Sequence, residues 1–273
     1  MKAFYFVSDI ATLTGYNKYK TLEDVYDLII NYFYRINKDM KDLNSFKSIK
    51  DEFDDIYNNL SDSDKLKLNV FNDLEKIKSS GDLKENIKNI TEHINNIDIT
   101  DTKKQILNNF LSGKNTRDYG TINEEVAINT YKNEKNIDIS NSNDKLYNII
   151  FEEFNVYGKI DGICNRNGER YLVEIKNRKN RIFTNIPIYE QIQVQYYLKF
   201  FDDISKVLII QKKDEQIEET IISKMDEGLW AETQERLSLI TDFFKELYND
   251  AELREEIIDK KNMELFSDSI YWI

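Results

Sequence analysis

The sequence predicts an α/β protein, a mixed sheet flanked by helices with a helical stretch ahead of it. Three observations lead there. Between Thr21 and Leu111 apolar residues recur at three-four spacing. From Leu146 onward β-branched and aromatic residues cluster in short runs, interrupted by an Asn-Gly turn. Beyond that turn, helical and strand patterns alternate.

The elements follow in order. Leu22, Val25, Tyr26, Ile29, Ile30 and Phe33 form an amphipathic helical stripe. Ser61-Asp62-Ser63-Asp64 offers an N-cap before Leu66, Leu68, Val70, Phe71 and Leu74. Ser79-Ser80-Gly81-Asp82 breaks that helix and starts another through Leu83, Ile87, Ile90 and Ile94. A further helix covers Lys103 to Leu111 and stops near Gly113, and a new one opens near Gly120. Leu146–Val156 and Tyr157–Cys164 read as strands, and Asn165-Arg166-Asn167-Gly168 as a hairpin turn into the strand Arg170–Lys176. Ile188–Phe201 is helical, Lys206–Gln211 a buried strand, Gln216–Ile222 a weaker one, and Met225–Tyr248 a long helix. The acidic tail after it is expected to face solvent.

Composition excludes several chemistries. A chain of 273 residues holds one large domain or two small ones. One cysteine, Cys164, excludes a disulfide framework and a thiolate-rich metal site. One histidine, His93, on a polar helical stretch and expected to be exposed, excludes a multi-histidine zinc site. No apolar run is long enough to span a membrane, and the N-terminus is too short in apolar residues for a signal peptide, so an intracellular, non-secreted protein is expected. The net charge is −12, but residues 214–273 carry seventeen Asp/Glu against six Lys/Arg, so the remainder is nearly neutral. Residues 159–181 hold seven Lys/Arg and three Asp/Glu, a balance compatible with a nucleic-acid groove or with a solvated hairpin.

The chemistry gathers around Gly158-Lys159-Ile160-Asp161-Gly162 and Leu172-Val173-Glu174-Ile175-Lys176. Strand alternation puts Glu174 and Lys176 on one face, and the hairpin brings Asp161 toward Glu174. Two carboxylates beside an ammonium suit a Mg²⁺ ion, which takes one or two carboxylates and keeps several waters. An exposed hairpin with weak ion pairs accounts for the same three residues.

The ordered set Glu124, Asp161, Glu174-Ile175-Lys176 and Gln193-x-x-x-Tyr197 resembles the PD-(D/E)xK nuclease superfamily. Within it the chain is similar to the YqaJ-like viral recombinases, the lambda-type exonucleases. The run from Ser8 through Gly15, Tyr16 and Lys18 to Lys20 resembles that family's opening motif, and Gln193-Val194-Gln195-Tyr196 its Gln-Val-Gln helix. Ile160 stands where the motif has proline, and residues 21–119 exceed what the family core needs.

The resemblance implies a restriction-endonuclease-like core of residues 1–20 and 120–273, with 21–119 a helical insertion packed on it. It implies Mg²⁺, for which Mn²⁺ would substitute, held by Asp161, Glu174 and the main-chain carbonyl of Ile175, with Glu124 bound through water or to a second ion. Lys176 would position the attacking water and Gln193 would orient Lys176 or the scissile phosphate, although Gln191 fills that place if the helix starts differently. Ser8, near a helix start, together with Lys18, Lys20, Lys159, Arg178 and Tyr197, would contact DNA phosphates. The implied activity is 5′-to-3′ hydrolysis of double-stranded DNA in recombination or end processing, with a single-strand annealing protein as partner and a homo-oligomer encircling DNA. Two other readings fit the same residues: an endonuclease of a defence or restriction system, and a catalytically silent DNA- or partner-binding protein on a nuclease fold.

Overall fold

The computed structural model describes residues 2–38, 40, 49–71, 83–141, 145–178, 180–223 and 225–272. The chain opens with β1 (Ala3–Phe6), α1 (Val7–Leu13) and α2 (Leu22–Ile36), followed by α3 (Ile49–Asn58), α4 (Asp62–Phe71), α5 (Leu83–Asn95) and α6 (Asp101–Lys135). Then come β2 (Ile139–Asn141), β3 (Tyr147–Ile150), β4 (Phe154–Gly158), β5 (Gly162–Arg166) and β6 (Glu169–Asn177). Helix α7 (Ile188–Leu198), β7 (Val207–Lys213), β8 (Gln216–Ile222) and α8 (Glu227–Asn249) follow. Short helices α9 (Ala251–Arg254) and α10 (Met263–Ser269) end it, with a π-helical turn, Glu255–Asp259, between them. These elements fall into two compact units, Met1–Leu43 with Thr130–Ile273, and Asn44–Asn129.

The Asn44–Asn129 unit is helical, with a core of Phe53, Ile56, Leu60, Leu68, Ile90, Ile94, Ile97, Leu107 and Leu111. Phe53 stacks on Phe110 with ring centroids 4.1 Å apart. Ser61 caps α4 as its sequence predicts: its Oγ accepts from the Asp64 N–H at 3.1 Å and donates to Asp64 Oδ2 at 2.6 Å. The break expected at Ser79–Asp82 lies outside the described residues. His93 is only partly exposed rather than solvated, with Nε2 3.9 Å from Asp64 Oδ1. The expected stop at Gly113 and restart at Gly120 are absent, because α6 runs through both. Neither glycine takes the positive φ of a C-cap, and one glycine inside a helix costs only about 1 kcal/mol.

In the other unit α2 follows its stripe closely. Thr21 and Asp24 form a reciprocal capping box, and Val25, Tyr26, Ile29, Ile30 and Phe33 are buried. Residues 21–43 group with the strands here, although the sequence pattern assigns 21–119 to one insertion. The reason is local: Tyr32 OH accepts from the Phe6 N–H at 3.0 Å and donates to Asp9 Oδ2 at 2.6 Å, tying α2 to the β1–α1 junction.

The strands form two sheets, of order β1-β4-β3 and β2-β5-β6-β7-β8. The second is mixed, since β6 and β7 run parallel and its other pairs antiparallel. Where two strands were expected between Leu146 and Cys164, the chain makes three, with breaks at residues 151–153 and 159–161. The hairpin turn is as expected: Asn167 and Gly168 take φ of 54° and 80°, the two left-handed residues of a tight β5–β6 turn. The acidic tail does not simply face solvent. Ile257, Phe266 and Ile270 are fully buried, Tyr26 OH donates to Ile257 O at 2.9 Å, and Tyr26 meets Phe266 edge to face at 5.0 Å.

Candidate active site

Residues 159–161 carry the chain from β4 in one sheet to β5 in the other, and Asp161 is the last of them. Gly162 is registered with Val173, so Asp161 comes level with Glu174 one step further along the hairpin. Asp161 Oδ2 accepts the Ile175 N–H at 2.7 Å, which fixes the carboxylate beside the Glu174–Ile175 peptide. Two glycines bracket the link. A Cβ on Gly162 would lie 2.6 Å from Ile139 Cγ2 and 3.0 Å from Ser140 O; one on Gly158 would lie 2.9 Å from both Tyr197 Cε1 and Val7 Cγ2. Gly162→Ala is expected to destabilise the protein by about 1–3 kcal/mol through overpacking against β2. An unchanged urea midpoint would contradict that.

Glu174 is 3% exposed, on the central strand β6. Its Oε1 accepts from Lys176 Nζ at 2.7 Å, and Lys176 Nζ also donates to Gln193 Oε1 at 2.8 Å. Gln193 Nε2 in turn donates to Tyr197 OH at 3.0 Å. The chain Glu174–Lys176–Gln193–Tyr197 thus joins β6 to α7. Gln191 turns elsewhere and donates to Ile186 O at 2.6 Å, so Gln193 is the glutamine that meets Lys176. Burial acts to lower the Lys176 pKa, but the charge and hydrogen bond of Glu174, then Glu190 and Asp161, outweigh it and hold the ammonium above the usual lysine range. Among the described residues two of its three N–H donors are taken, leaving one for a ligand.

Glu174 Oε2 is buried without a hydrogen-bond partner among the described residues. An orphaned carboxylate oxygen is costly, and a cation would satisfy it. Among the described residues no cluster of three or more His, Cys, Asp or Glu side chains assembles for a metal. Asp161, Glu174 and the main-chain carbonyl of Ile175 would offer a metal oxygen donors only, a chemistry that suits Mg²⁺ better than a softer ion.

The other sequence-derived residues divide. Ser8, Lys159 and Tyr197 line one cavity of about 270 Å³, together with Phe6, Leu146 and Tyr157. Lys18 and Lys20 lie on the exposed loop after α1, where Tyr19 meets Tyr189 of α7 edge to face at 5.9 Å. Glu124 lies on α6, within the Asn44–Asn129 unit.

Arg178, expected at a phosphate, is committed elsewhere. It donates to Glu190 through both terminal nitrogens, at 2.6 and 2.7 Å, and through Nε to Gln211 at 2.8 Å. Its side chain is 8% exposed and that of Glu190 5%. Gln211 also accepts the Phe183 N–H and donates to Phe183 O, and the guanidinium lies 4.5 Å from the Phe183 ring centre. Sequence reasoning missed Glu190 and Gln211. A signal existed for Glu190: Arg178 is two residues past Lys176, just beyond the end of β6, and Glu190 is three before Gln193 on a helix, so the spacing matches on both sides. Cys164 is 2% exposed, and burial pushes its thiol pKa up.

No curated protein sequence matches the chain. A solved structure described as "Crystal structure of SSO0001" is similar, with 21% identity and a TM-score of 0.36 over 47% of this chain and 64% of that one. The chain thus spans under two thirds of that structure's length. The family model of the YqaJ-like viral recombinase domain matches residues 68–203. The matched span takes in Glu124, Asp161, Glu174, Lys176 and Gln193 and leaves the run from Ser8 to Lys20 outside it. With that match over a mixed α/β fold, residues 68–203 resemble a YqaJ-like viral recombinase domain, consistent with the PD-(D/E)xK nuclease group.

Proposed function

We propose that the protein is a Mg²⁺-dependent deoxyribonuclease that hydrolyses duplex DNA from a 5′ end and leaves a 3′ single strand for recombination. The observation that carries this is the Lys176 ammonium, held between Glu174 and Gln193 beside a buried carboxylate oxygen that has no partner among the described residues. A solvated hairpin ion pair would not be buried in this way.

Asp161, Glu174 and the Ile175 carbonyl would hold the ion. When bound, Mg²⁺ polarises a phosphoryl oxygen and acidifies a water; Mn²⁺ supplies the same chemistry. Lys176 stays charged beside Glu174, so its free N–H donor holds the attacking water or the phosphate oxygen and accepts no proton. Gln193 restrains the ammonium, and Tyr197 restrains Gln193. Lys159, Lys18 and Lys20 meet phosphates along the strand, with Ser8 and Tyr197 beside them. The unit of residues 1–43 and 130–273 holds Asp161, Glu174 and Lys176, and the protein would assemble as a homo-oligomer around DNA and pass its product to a single-strand annealing protein. Among the described residues no helix is long and apolar enough to cross a membrane.

The test is digestion of linear duplex DNA labelled at the 5′ or 3′ end, with closed circular DNA as the control, in Mg²⁺ and in EDTA. Metal-dependent release of 5′ mononucleotides, with the circle spared, is the expected result. Nicking of the circle would replace the exonuclease by an endonuclease, and binding without cleavage would sink the mechanism.

A further inference from the structure

Gln211 of β7 is a fully buried polar side chain, and the contacts from Glu174 through Lys176 to Tyr197 do not include it. It is registered with Lys176 across the parallel β6–β7 pair, so both side chains rise from the same sheet face. Its amide is spent elsewhere. Oε1 accepts from Arg178 Nε at 2.8 Å and from the Phe183 N–H at 3.0 Å, while Nε2 donates to Phe183 O at 2.9 Å. An amide can meet the N–H and the C=O of one residue together, whereas a carboxylate cannot donate and an ammonium cannot accept. Gln211 thus pairs with Phe183 as the peptide of a neighbouring strand would. The link between β6 and α7, which has no regular element over residues 180–187, gains a fixed point near its middle.

We propose that Gln211 is a positioning residue for hydrolysis: by holding the link between β6 and α7 it sets where Gln193 meets Lys176. The inference rests on the nuclease reading above and adds to it a residue that touches neither metal nor DNA. Two routes lead from the amide to the ammonium. Arg178, just past the end of β6, is held at Nε by Gln211 and at both terminal nitrogens by Glu190, three residues before Gln193 in α7. Beyond Phe183, Ile186 O accepts from Gln191 Nε2 at 2.6 Å, which ties the same link to the first turn of the helix. Both routes end within one turn of Gln193, whose Oε1 accepts from Lys176 Nζ at 2.8 Å. The Phe183 ring also meets the Arg178 guanidinium, 4.5 Å from its centre, but a ring face tolerates sliding where paired hydrogen bonds do not. A displacement of about 1 Å at a reacting group is enough to slow catalysis strongly.

The test pairs kinetics with hydrogen exchange. Gln211→Met keeps the side-chain length and removes all three hydrogen bonds; Gln211→Glu keeps the two accepted N–H groups and sets a carboxylate against the Phe183 carbonyl. Thr241→Val is the control, because it removes a buried hydrogen bond to Tyr5, 2.8 Å long, that involves no residue of the site. Duplex hydrolysis in Mg²⁺ is measured for each, with amide exchange of the segment holding Phe183. Both Gln211 variants are expected to lose on the order of tenfold in kcat with KM within about twofold of wild type. Exchange at Phe183 should quicken in Gln211→Met. Thr241→Val is expected to melt lower with kcat unchanged. Wild-type kcat in both Gln211 variants overturns the proposal, as does unmoved exchange at Phe183 in Gln211→Met or an equal loss of kcat in Thr241→Val. Absence of hydrolysis by wild type itself would instead overturn the nuclease reading, a result that the exchange data would leave distinct.

Discussion

Lys176→Ala is expected to lower the rate of duplex hydrolysis on the order of 10³-fold, the usual loss when one preorganised donor to a developing charge is removed. The ammonium sits on Glu174 and Gln193, and on the proposed function its third donor serves the phosphate or the attacking water. Lys176→Arg is not expected to rescue activity, since a planar fork cannot occupy the space of a compact ammonium between two partners 2.7 and 2.8 Å away. The substitution has a second consequence that does not depend on turnover. Without its lysine, Glu174 becomes a buried carboxylate with neither oxygen paired to a side chain among the described residues, so the melting temperature should fall. Added Mg²⁺ should recover more of that loss in Lys176→Ala than it adds to wild type, because a bound ion stabilises by mass action and now supplies the missing charge. A melting temperature in Lys176→Ala that ignores Mg²⁺ would show that Glu174 is not a metal ligand.

Breaking the Arg178–Glu190 pair is the second large effect. Both side chains are less than a tenth exposed, and their bidentate contact is reinforced by Gln211. Arg178→Ala or Glu190→Ala strands the other charge in the interior, which costs about 3–5 kcal/mol. For a chain of this size that corresponds to a melting temperature lower by roughly 10 °C. Replacing both together, Arg178→Met with Glu190→Met, is expected to return most of the stability, because no unpaired charge remains. The pair bridges the same strand and helix as Lys176 and Gln193, so the double variant should fold with a reduced turnover number while its affinity for DNA changes little. A double variant as active as wild type would show that the pair serves stability alone.

Much of the site is legible in the sequence itself. Strand alternation places Glu174 with Lys176, the Asn167-Gly168 turn joins β5 to β6, and the three-four spacing of Gln193 and Tyr197 puts them on one helical face. These are local regularities, set by backbone geometry a few residues at a time. The choice of Gln193 over Gln191 is not local. It depends on how α7 lies against β6, and that is decided by the packing of Val194, Tyr196 and Leu198 into the core.

The same contrast holds for the elements themselves. Sequence alone determined the α/β class, the helix cap at Ser61, the hairpin and the ordered carboxylates and lysine, because each rests on propensity, periodicity or a short motif. Tertiary structure alone decided that the strands split into two sheets at residues 159–161, that Arg178 belongs to Glu190 and not to a phosphate, that α6 continues through Gly113 and Gly120, and that the acidic tail buries Phe266. Each of these balances a local preference against burial or a distant partner. A glycine or a charged side chain specifies what it costs to place it, while the partner that offsets the cost lies elsewhere in the chain and is found only once the chain has folded.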